Sequence, residues 1–541
     1  MTDKDVIVTE TNAIRNFFSE YKRERVREME VPWAIIVSII LLIILVWAWK
    51  AFNWLWLKPK KLERILREQG LKGTSYRLLY GDTNDVIKMQ TEAAFKSINL
   101  SDDLVSHVFP YDHQTVTKYG NNPFIWFGPK PRVILTDSEL VKEVFMKSNS
   151  FQKLPQNPLL RMLINGLVSY DSEKWSKHRK IINPAFHLEK LKLMLPTFLQ
   201  CCDDLVSNWE GELSSSNGTC EVDVWPSVQK LSSDVIARTA FGSTYEEGIK
   251  IFELLKEQMD LTAEMFITIY IPGWRFLPTA KNRRVKEIYR DLKALLTKVI
   301  NNREKALKAG ESPKNDLLGI LLESNRKEIE DKGMNLEDVI KECKGFYLAG
   351  QETTSVSLIW ALILLSKNLD WQERAREEVL QVFGNRKPDF EGLNQLKIVT
   401  MIMYEVLRLY TPIFALPREV YQDVKIGNLT IPAGAQIILP IIMIHYDQKL
   451  WGDDVKEFNP GRFSEGILKA TNGKAAYFPF GMGPRICIGQ NYSLIEAKLA
   501  LAMILQRFSF ELSPAYTHSP APKITLYPQH GAHLILHKIN P

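Results

Sequence analysis

The stretch FPFGMGPRICIGQ, Phe478 to Gln490, sets a single cysteine in a loop with glycines at 481, 483 and 489. Glycine tolerates positive φ and lets the backbone come close to a flat ligand, so three of them around a thiol make a loop built to be approached. A thiolate that faces several backbone N–H groups there is stabilised as an anion and tuned as a ligand. Arg485, two residues before Cys487, supplies a cation for a carboxylate of the same ligand. The following NYSLIEAKLALAMILQRF reads as a helix whose N-terminus turns its positive end toward the sulfur. The remaining cysteines, at 201, 202, 220 and 343, form no CxxC pair and no zinc-like cluster with histidine, and read as reduced thiols in a reducing compartment.

FGMGPRICIG resembles the Phe-x-x-Gly-x-Arg-x-Cys-x-Gly signature of the cytochrome P-450 superfamily at every fixed position: Phe480, Gly483, Arg485, Cys487 and Gly489. The resemblance implies a haem b whose iron takes the Cys487 thiolate as axial ligand, with Phe480, Arg485 and Gly489 in the cofactor's cradle. It also implies a monooxygenase that binds dioxygen and draws electrons from NADPH through a reductase.

Periodicity agrees with such a fold. Helical patterns dominate, among them Glu189–Asn208, Thr279–Lys308 and Leu336–Lys367, the last capped by Asn335. Strand-like runs are few: Arg132–Leu135, Gln436–Leu439 and His533–His537. The expected class is mainly α with small β-sheets. No strand–helix alternation and no GxGxxG after a strand supports a dinucleotide fold.

Three further constellations gain meaning from the resemblance. In YEVLRLYTP, Glu405 and Arg408 share one helix face, and FNPGRF follows with Arg462. In the superfamily these form a buried triad, so Glu405, Arg408 and Arg462 are expected to be structural, and loss of any one to leave a buried charge uncompensated and to abolish haem incorporation. AGQETT, in the middle of Leu336–Lys367, resembles the oxygen-activation motif. Thr353 is then the hydrogen-bond donor to the oxygen being activated, Glu352 relays protons from solvent, and Gly350 leaves room for dioxygen. WSKHRK places Trp175 and Arg179 four apart, like the family's propionate-binding pair, and with Arg418 and Arg485 completes a set of cations around two carboxylates. Lys174, Lys177, His178 and Lys180 are expected to extend this charge over the face where a reductase docks.

From Val31 to Trp49 the chain carries no charge, about 28 Å as a helix, with Trp33, Trp47, Trp49, Trp54 and Trp56 at the ends. The organisation expected is a short luminal tail at 1–30, a transmembrane anchor at 31–49, a basic linker at 50–75 with an amphipathic helix ending at Gly70 or Gly73, and a catalytic domain at 76–541. More Lys and Arg follow the span than precede it, which places the catalytic domain in the cytosol on a single-pass endoplasmic reticulum protein, its sequons at Asn99, Asn217, Asn428 and Asn491 unglycosylated. The net charge of +6 is small for 541 residues and interleaved in sign, so nucleic acid is not an expected partner.

SYRLLYGD, FGSTYEEG, DLLGILLESN and WQERAREEVL resemble the plant clan that includes secologanin synthase and 7-deoxyloganic acid hydroxylase. The kinship implies a small hydrophobic or glycosylated terpenoid substrate, an iridoid first, hydroxylated or oxidatively cleaved, with triterpenoids and gibberellin-type diterpenoids as alternatives. Phe346, Ala349 and the turn Ile413, Phe414, Ala415 and Leu416 are the expected pocket wall, together with the loop between Phe151 and Val168. A peroxide-using isomerase or dehydratase, or a non-catalytic haem protein, is disfavoured by the presence of Glu352 and Thr353.

Overall fold

The computed structural model describes residues 3–154, 157–216, 218–243, 245–268, 273–310, 316–327 and 333–539. Asn217, one of the sequons, lies outside them, as does part of the 151–168 loop. The chain divides into two compact units, Met1–Arg64 and Ile65–Pro541.

In the first unit a single helix, Asp3–Phe52, covers both the expected tail and the expected span. Residues 3–31 contain neither glycine nor proline, so nothing interrupts the helix before the apolar run. A π-turn at Asn53–Leu57 leads into a second helix, Lys58–Glu68, so most of the basic linker is helical. From Ile35 onward the apolar helix has a mean hydropathy of 2.6 and none of that window is buried, which suits a membrane anchor. Gly70, at φ +83°, stops the second helix, one of the two stops expected.

The second unit is built around four helices: Leu188–Ser214, Val224–Phe241, Leu336–Lys367 and Gln490–Arg507. Their facing apolar residues form one core, with Phe198, Trp209, Val235, Tyr347, Ile359, Leu499 and Leu505 essentially closed to solvent. Leu336–Lys367 starts where its capping residue predicts, for the Asn335 side chain accepts from Asp338 N–H. It is also apolar enough to cross a membrane, but it is mostly buried inside this unit and serves as the core helix. At Gly350, in its middle, Val224–Phe241 packs close: a Cβ there would meet Ile236 Cδ1 at 2.7 Å. The expectation that Gly350 makes room for dioxygen is therefore corrected, because the missing side chain admits a neighbouring helix.

Strands are peripheral. A five-stranded sheet runs in the order Phe124–Phe127, Lys130–Ile134, Gln436–Leu439, Leu416–Val420, Phe151–Gln152, with one parallel pairing, Arg132 opposite Gln436. A three-stranded sheet places His533–Lys538 between Thr219–Asp223 and Phe508–Leu512. Two-stranded hairpins complete the set, one of them Pro520–Pro522 with Leu526–Pro528. The mainly helical class with small sheets is what the periodicity predicts.

Candidate active site

The cysteine loop closes on itself: Cys487 N–H donates to the Phe480 carbonyl at 2.9 Å. Gly481 and Gly483 sit at φ +71° and +72°, where a β-carbon is strained, and at Gly483 it would also meet Met146 Sδ and the Phe145 carbonyl at 3.0 Å. Gly489 does not need its freedom in φ, lying at −91°; it is the residue that precedes Gln490–Arg507, and its N–H faces the sulfur. Cys487 is exposed, yet burial within the mass of the protein pushes its thiol pKa up, so the sulfur opens on an interior space. The Gly489 N–H and the Arg179 guanidinium pull the other way without winning. A metal ion held at this position would add a much larger charge in favour of the thiolate. The other cysteines are inert by comparison, with Cys201, Cys202 and Cys343 buried and their thiols raised by desolvation.

Cations gather beside this loop. Arg485 lies over the Trp175 ring at 4.6 Å, pairs with Asp171 at 2.7 Å and donates to the Tyr170 carbonyl at 2.9 Å, while its Nε is buried without an acceptor. Burial, with Arg485 close by, draws Arg418 down to about 10 and Lys153 down to about 7. Lys153 was not evident from the sequence, for nothing local marks the lysine of FQKLP, and its neighbours Arg418 and Arg485 are far along the chain. Trp175 therefore acts here as a platform for Arg485, with Arg179, one helical turn on, nearer the sulfur. Asp171 pairs with Arg485 and acts on Lys153 and Arg418 through space, one carboxylate against three cations, a surplus of positive charge that suits a flat dianionic ligand. Among the described residues no three His, Cys, Asp or Glu side chains converge on a metal position. The residues present fit a haem.

The expected charge run along Ser172–Ile182 is only partly a surface. His178 is buried, its Nδ1 at 2.6 Å from Glu342 and its Nε2 at 3.7 Å from Asp338, while Lys174 is held by Asp338 at 2.8 Å. This cluster ties the helix that carries Trp175 and Arg179 to the first turns of the core helix. His178 is thus removed from the docking face, because two carboxylates far along the chain claim it.

On the core helix, Ala349 is exposed and Thr353, one turn later, is partly so, in the middle of an otherwise buried element. Thr353 Oγ1 donates to the Ala349 carbonyl at 2.7 Å, and Ser357 repeats the pattern on the Thr353 carbonyl at 2.9 Å. Phe346 is buried and stacks on Phe186 with centroids 5.4 Å apart. Glu352 is buried and accepts from Thr525 Oγ1 at 2.7 Å; burial raises its carboxyl pKa and the Thr525 hydrogen bond opposes the rise. Ile413, Phe414, Ala415 and Leu416 are each partly exposed, Phe414 resting edge-on against Phe109.

Behind the cysteine loop, Glu405, Arg408 and Arg462 meet. Arg408 is fully buried and donates to both Glu405 oxygens at 2.8 Å, and Arg462 Nε reaches Glu405 Oε1 at 3.0 Å. Two partners escaped the sequence reading. Asp454 takes the rest of the Arg462 fork at 3.0 Å, which balances the second guanidinium. His445, pushed down to about 3 by burial and Arg408, is neutral: its Nδ1–H donates to the Arg408 carbonyl and its Nε2 accepts from Phe478 N–H at 3.0 Å. The imidazole therefore links the triad to the first residue of the cysteine loop.

The family Cytochrome P450 matches residues 103–534 of the chain. Cytochrome P450 72A68 of Medicago truncatula is 56% identical over 520 residues, covering 94% of this chain and 100% of its own. Cytochrome P450 72A397 of Kalopanax septemlobus is 56% identical over 498 residues, 91% and 96% of the two chains. The 11-oxo-beta-amyrin 30-oxidase of Glycyrrhiza uralensis is 55% identical over 518 residues, 93% and 98%. Fold, thiol loop and these likenesses agree, and the chain belongs to the cytochrome P450 family, an oxidoreductase of the monooxygenase class.

Proposed function

We propose that Cys487 is the thiolate ligand of haem b in this chain, and that the enzyme oxidises a C–H bond of a plant triterpenoid with electrons passed from NADPH by a reductase. The observation that carries the reading is the setting of the sulfur: inside the protein yet open, flanked by the Gly489 N–H, with a surplus of cations beside it. Bound haem supplies dioxygen activation and the redox chemistry. The net change, C–H plus dioxygen, two electrons and two protons to alcohol and water, leaves proton supply to the protein.

Glu352 suits that duty, because its burial favours the protonated carboxyl and it is the chain neighbour of Thr353, which is partly exposed. Arg179, Arg418, Arg485 and Lys153 hold the two propionates, with Trp175 fixing the plane of Arg485. Phe480 and Gly489 shape the floor under the sulfur. Phe346, Ala349 and Ile413–Leu416 form an apolar wall that excludes water and chooses which carbon faces the iron. Catalysis takes place on the cytosolic side of the endoplasmic reticulum, with the helix through Ile35 as single-pass anchor and residues 1–30 in the lumen.

The triterpenoid reading is favoured over the iridoid one because the relative named for its substrate acts on an amyrin skeleton and aligns with almost the whole chain. Full-length protein, reduced and exposed to carbon monoxide, is expected to give the Soret band of thiolate ligation, and Cys487→Ser to lose it. Turnover without reductase and NADPH would favour the peroxide-using alternative. Binding spectra with amyrin-type triterpenoids against iridoid glycosides decide the substrate: a shift from the iridoids alone reverses that assignment.

A further inference from the structure

The acid of the core helix is held by a residue 173 positions away in the chain. Thr525 lies in the turn of the hairpin Pro520–Pro522 and Leu526–Pro528, is 1% exposed, and donates its hydroxyl to Glu352 Oε1 at 2.7 Å. The hairpin is fastened around that contact. Trp360 Nε1, two turns further along the core helix, donates to the Leu526 carbonyl at 2.7 Å, and Leu526 N–H donates to the Pro412 carbonyl at 3.1 Å, next to the Ile413–Leu416 wall. On the solvent side Lys523 pairs with Asp260 of the helix Tyr245–Ile267 at 2.7 Å, both about half exposed.

We propose that Thr525 is the positioning residue for proton delivery by Glu352. A single hydroxyl donor pins one carboxylate oxygen and leaves Oε2 as the oxygen that takes a proton from solvent and hands it on. Without the pin, the buried side chain loses the neutral partner that fixes its rotamer, and with it a fixed place for Oε2. The charged groups facing Glu352 are Lys256 and Asp260 from the helix Tyr245–Ile267 and Lys523 from the hairpin, and the Lys523–Asp260 pair marks where the hairpin meets water. This inference rests on the reading of Glu352 as the proton donor.

The test uses full-length holoenzyme reconstituted with reductase, comparing Thr525→Val, Thr525→Ser, Glu352→Gln and the Thr525→Val/Glu352→Gln double variant. Thr525→Val is expected to keep its haem content and KM, lose about tenfold in kcat, and release more hydrogen peroxide per NADPH consumed. Activity that needs protonated Glu352 falls as pH rises through its pKa. Removing a donor to the carboxylate raises that pKa, so the alkaline limb of the kcat profile moves up, by about one pH unit. Thr525→Ser restores the profile, and Thr525→Val adds nothing in the Glu352→Gln background. Should Thr525→Val fail to load haem, Thr525→Ala, which removes the hydroxyl and leaves room for water, carries the same expectations. If Glu352→Gln is impaired while the Thr525 variants keep the wild-type pH profile and coupling, the positioning role is wrong and the Glu352 reading stands. If Glu352→Gln itself is unaltered, both fall.

Discussion

Replacing Arg408 by leucine should destabilise the catalytic unit by about 5 kcal/mol and empty it of haem in the same step. The guanidinium is fully buried and donates twice to Glu405 at 2.8 Å, to the His445 carbonyl at 2.9 Å, to the Val455 carbonyl at 2.7 Å and to the Glu457 carbonyl at 3.3 Å. Removing one partner of a buried ion pair costs about 3–5 kcal/mol. The lower end applies here, because Arg462 Nε and Asn459 N–H, both at 3.0 Å, still serve Glu405. Three carbonyls left without donors add about 1 kcal/mol or a little less each. A domain's whole stability is roughly 5–15 kcal/mol, so the variant is marginal at best. Haem is lost with it because the guanidinium no longer holds the His445 carbonyl, and the His445 imidazole is what holds Phe478 N–H at the start of the cysteine loop. The assay is urea unfolding of the holoenzyme followed by tryptophan fluorescence, with haem per polypeptide measured in parallel. Arg408→Lys should recover only part of the loss, since one ammonium cannot reproduce the fork. Glu405→Leu/Arg408→Leu should be about 2 kcal/mol less damaging than the sum of the single changes. An Arg408→Leu protein with unchanged midpoint and full haem, or strictly additive losses in the double variant, refutes the reasoning.

Two other outcomes follow from the packing and charge of the core helix. Burial pushes His178 down, but the hydrogen bonds to Asp338 and Glu342 outweigh it and its pKa is raised, so its contribution to stability is full below the unfolded value of about 6.5 and is lost as pH rises through the folded one. Burial likewise works against Asp338, but His178 and Lys174 hold its carboxyl well below the usual range, a contribution present above about pH 4 and lost on acidification. Unfolding midpoints of wild type should therefore decline from about pH 7 upward, and His178→Gln should flatten that decline; an identical slope in both proteins would falsify the assignment. Gly350→Ala gains about 1 kcal/mol of helix propensity but drives a methyl into Ile236, so a net loss of about 1–2 kcal/mol is expected, relieved in Gly350→Ala/Ile236→Ala. Stabilisation by the single change would mean that the two helices are not in contact there.

What the sequence revealed was local chemistry. The start of Leu336–Lys367 follows from an asparagine cap, the small sheets from short β-branched runs, and the meeting of Glu405, Arg408 and Arg462 from the resemblance of their motifs to the superfamily's. What stayed hidden were partners supplied from far along the chain, for which periodicity has no term. His178 looks like a surface charge until Glu342 is brought to 2.6 Å from it, and Gly350 looks like space for a ligand until Ile236 fills the position. Asp454, His445, Lys153 and Thr525 are ordinary residues in ordinary surroundings by sequence, and each matters only because of what the fold sets opposite.

The strand His533–Lys538 lies in the middle of its sheet, between segments made much earlier, Thr219–Asp223 and Phe508–Leu512. While the ribosome is still working, Thr219–Asp223 waits as a bare edge for a partner some three hundred residues downstream, and the sulfur of Cys487 emerges almost as late. Helices from the middle of the chain can dock in the meantime, but the sheet cannot close and the prosthetic group has nothing to bind. Cofactor capture in this protein is therefore among the last events of its biogenesis, and a chain cut off shortly before residue 533 would be left with an unpaired edge prone to aggregation.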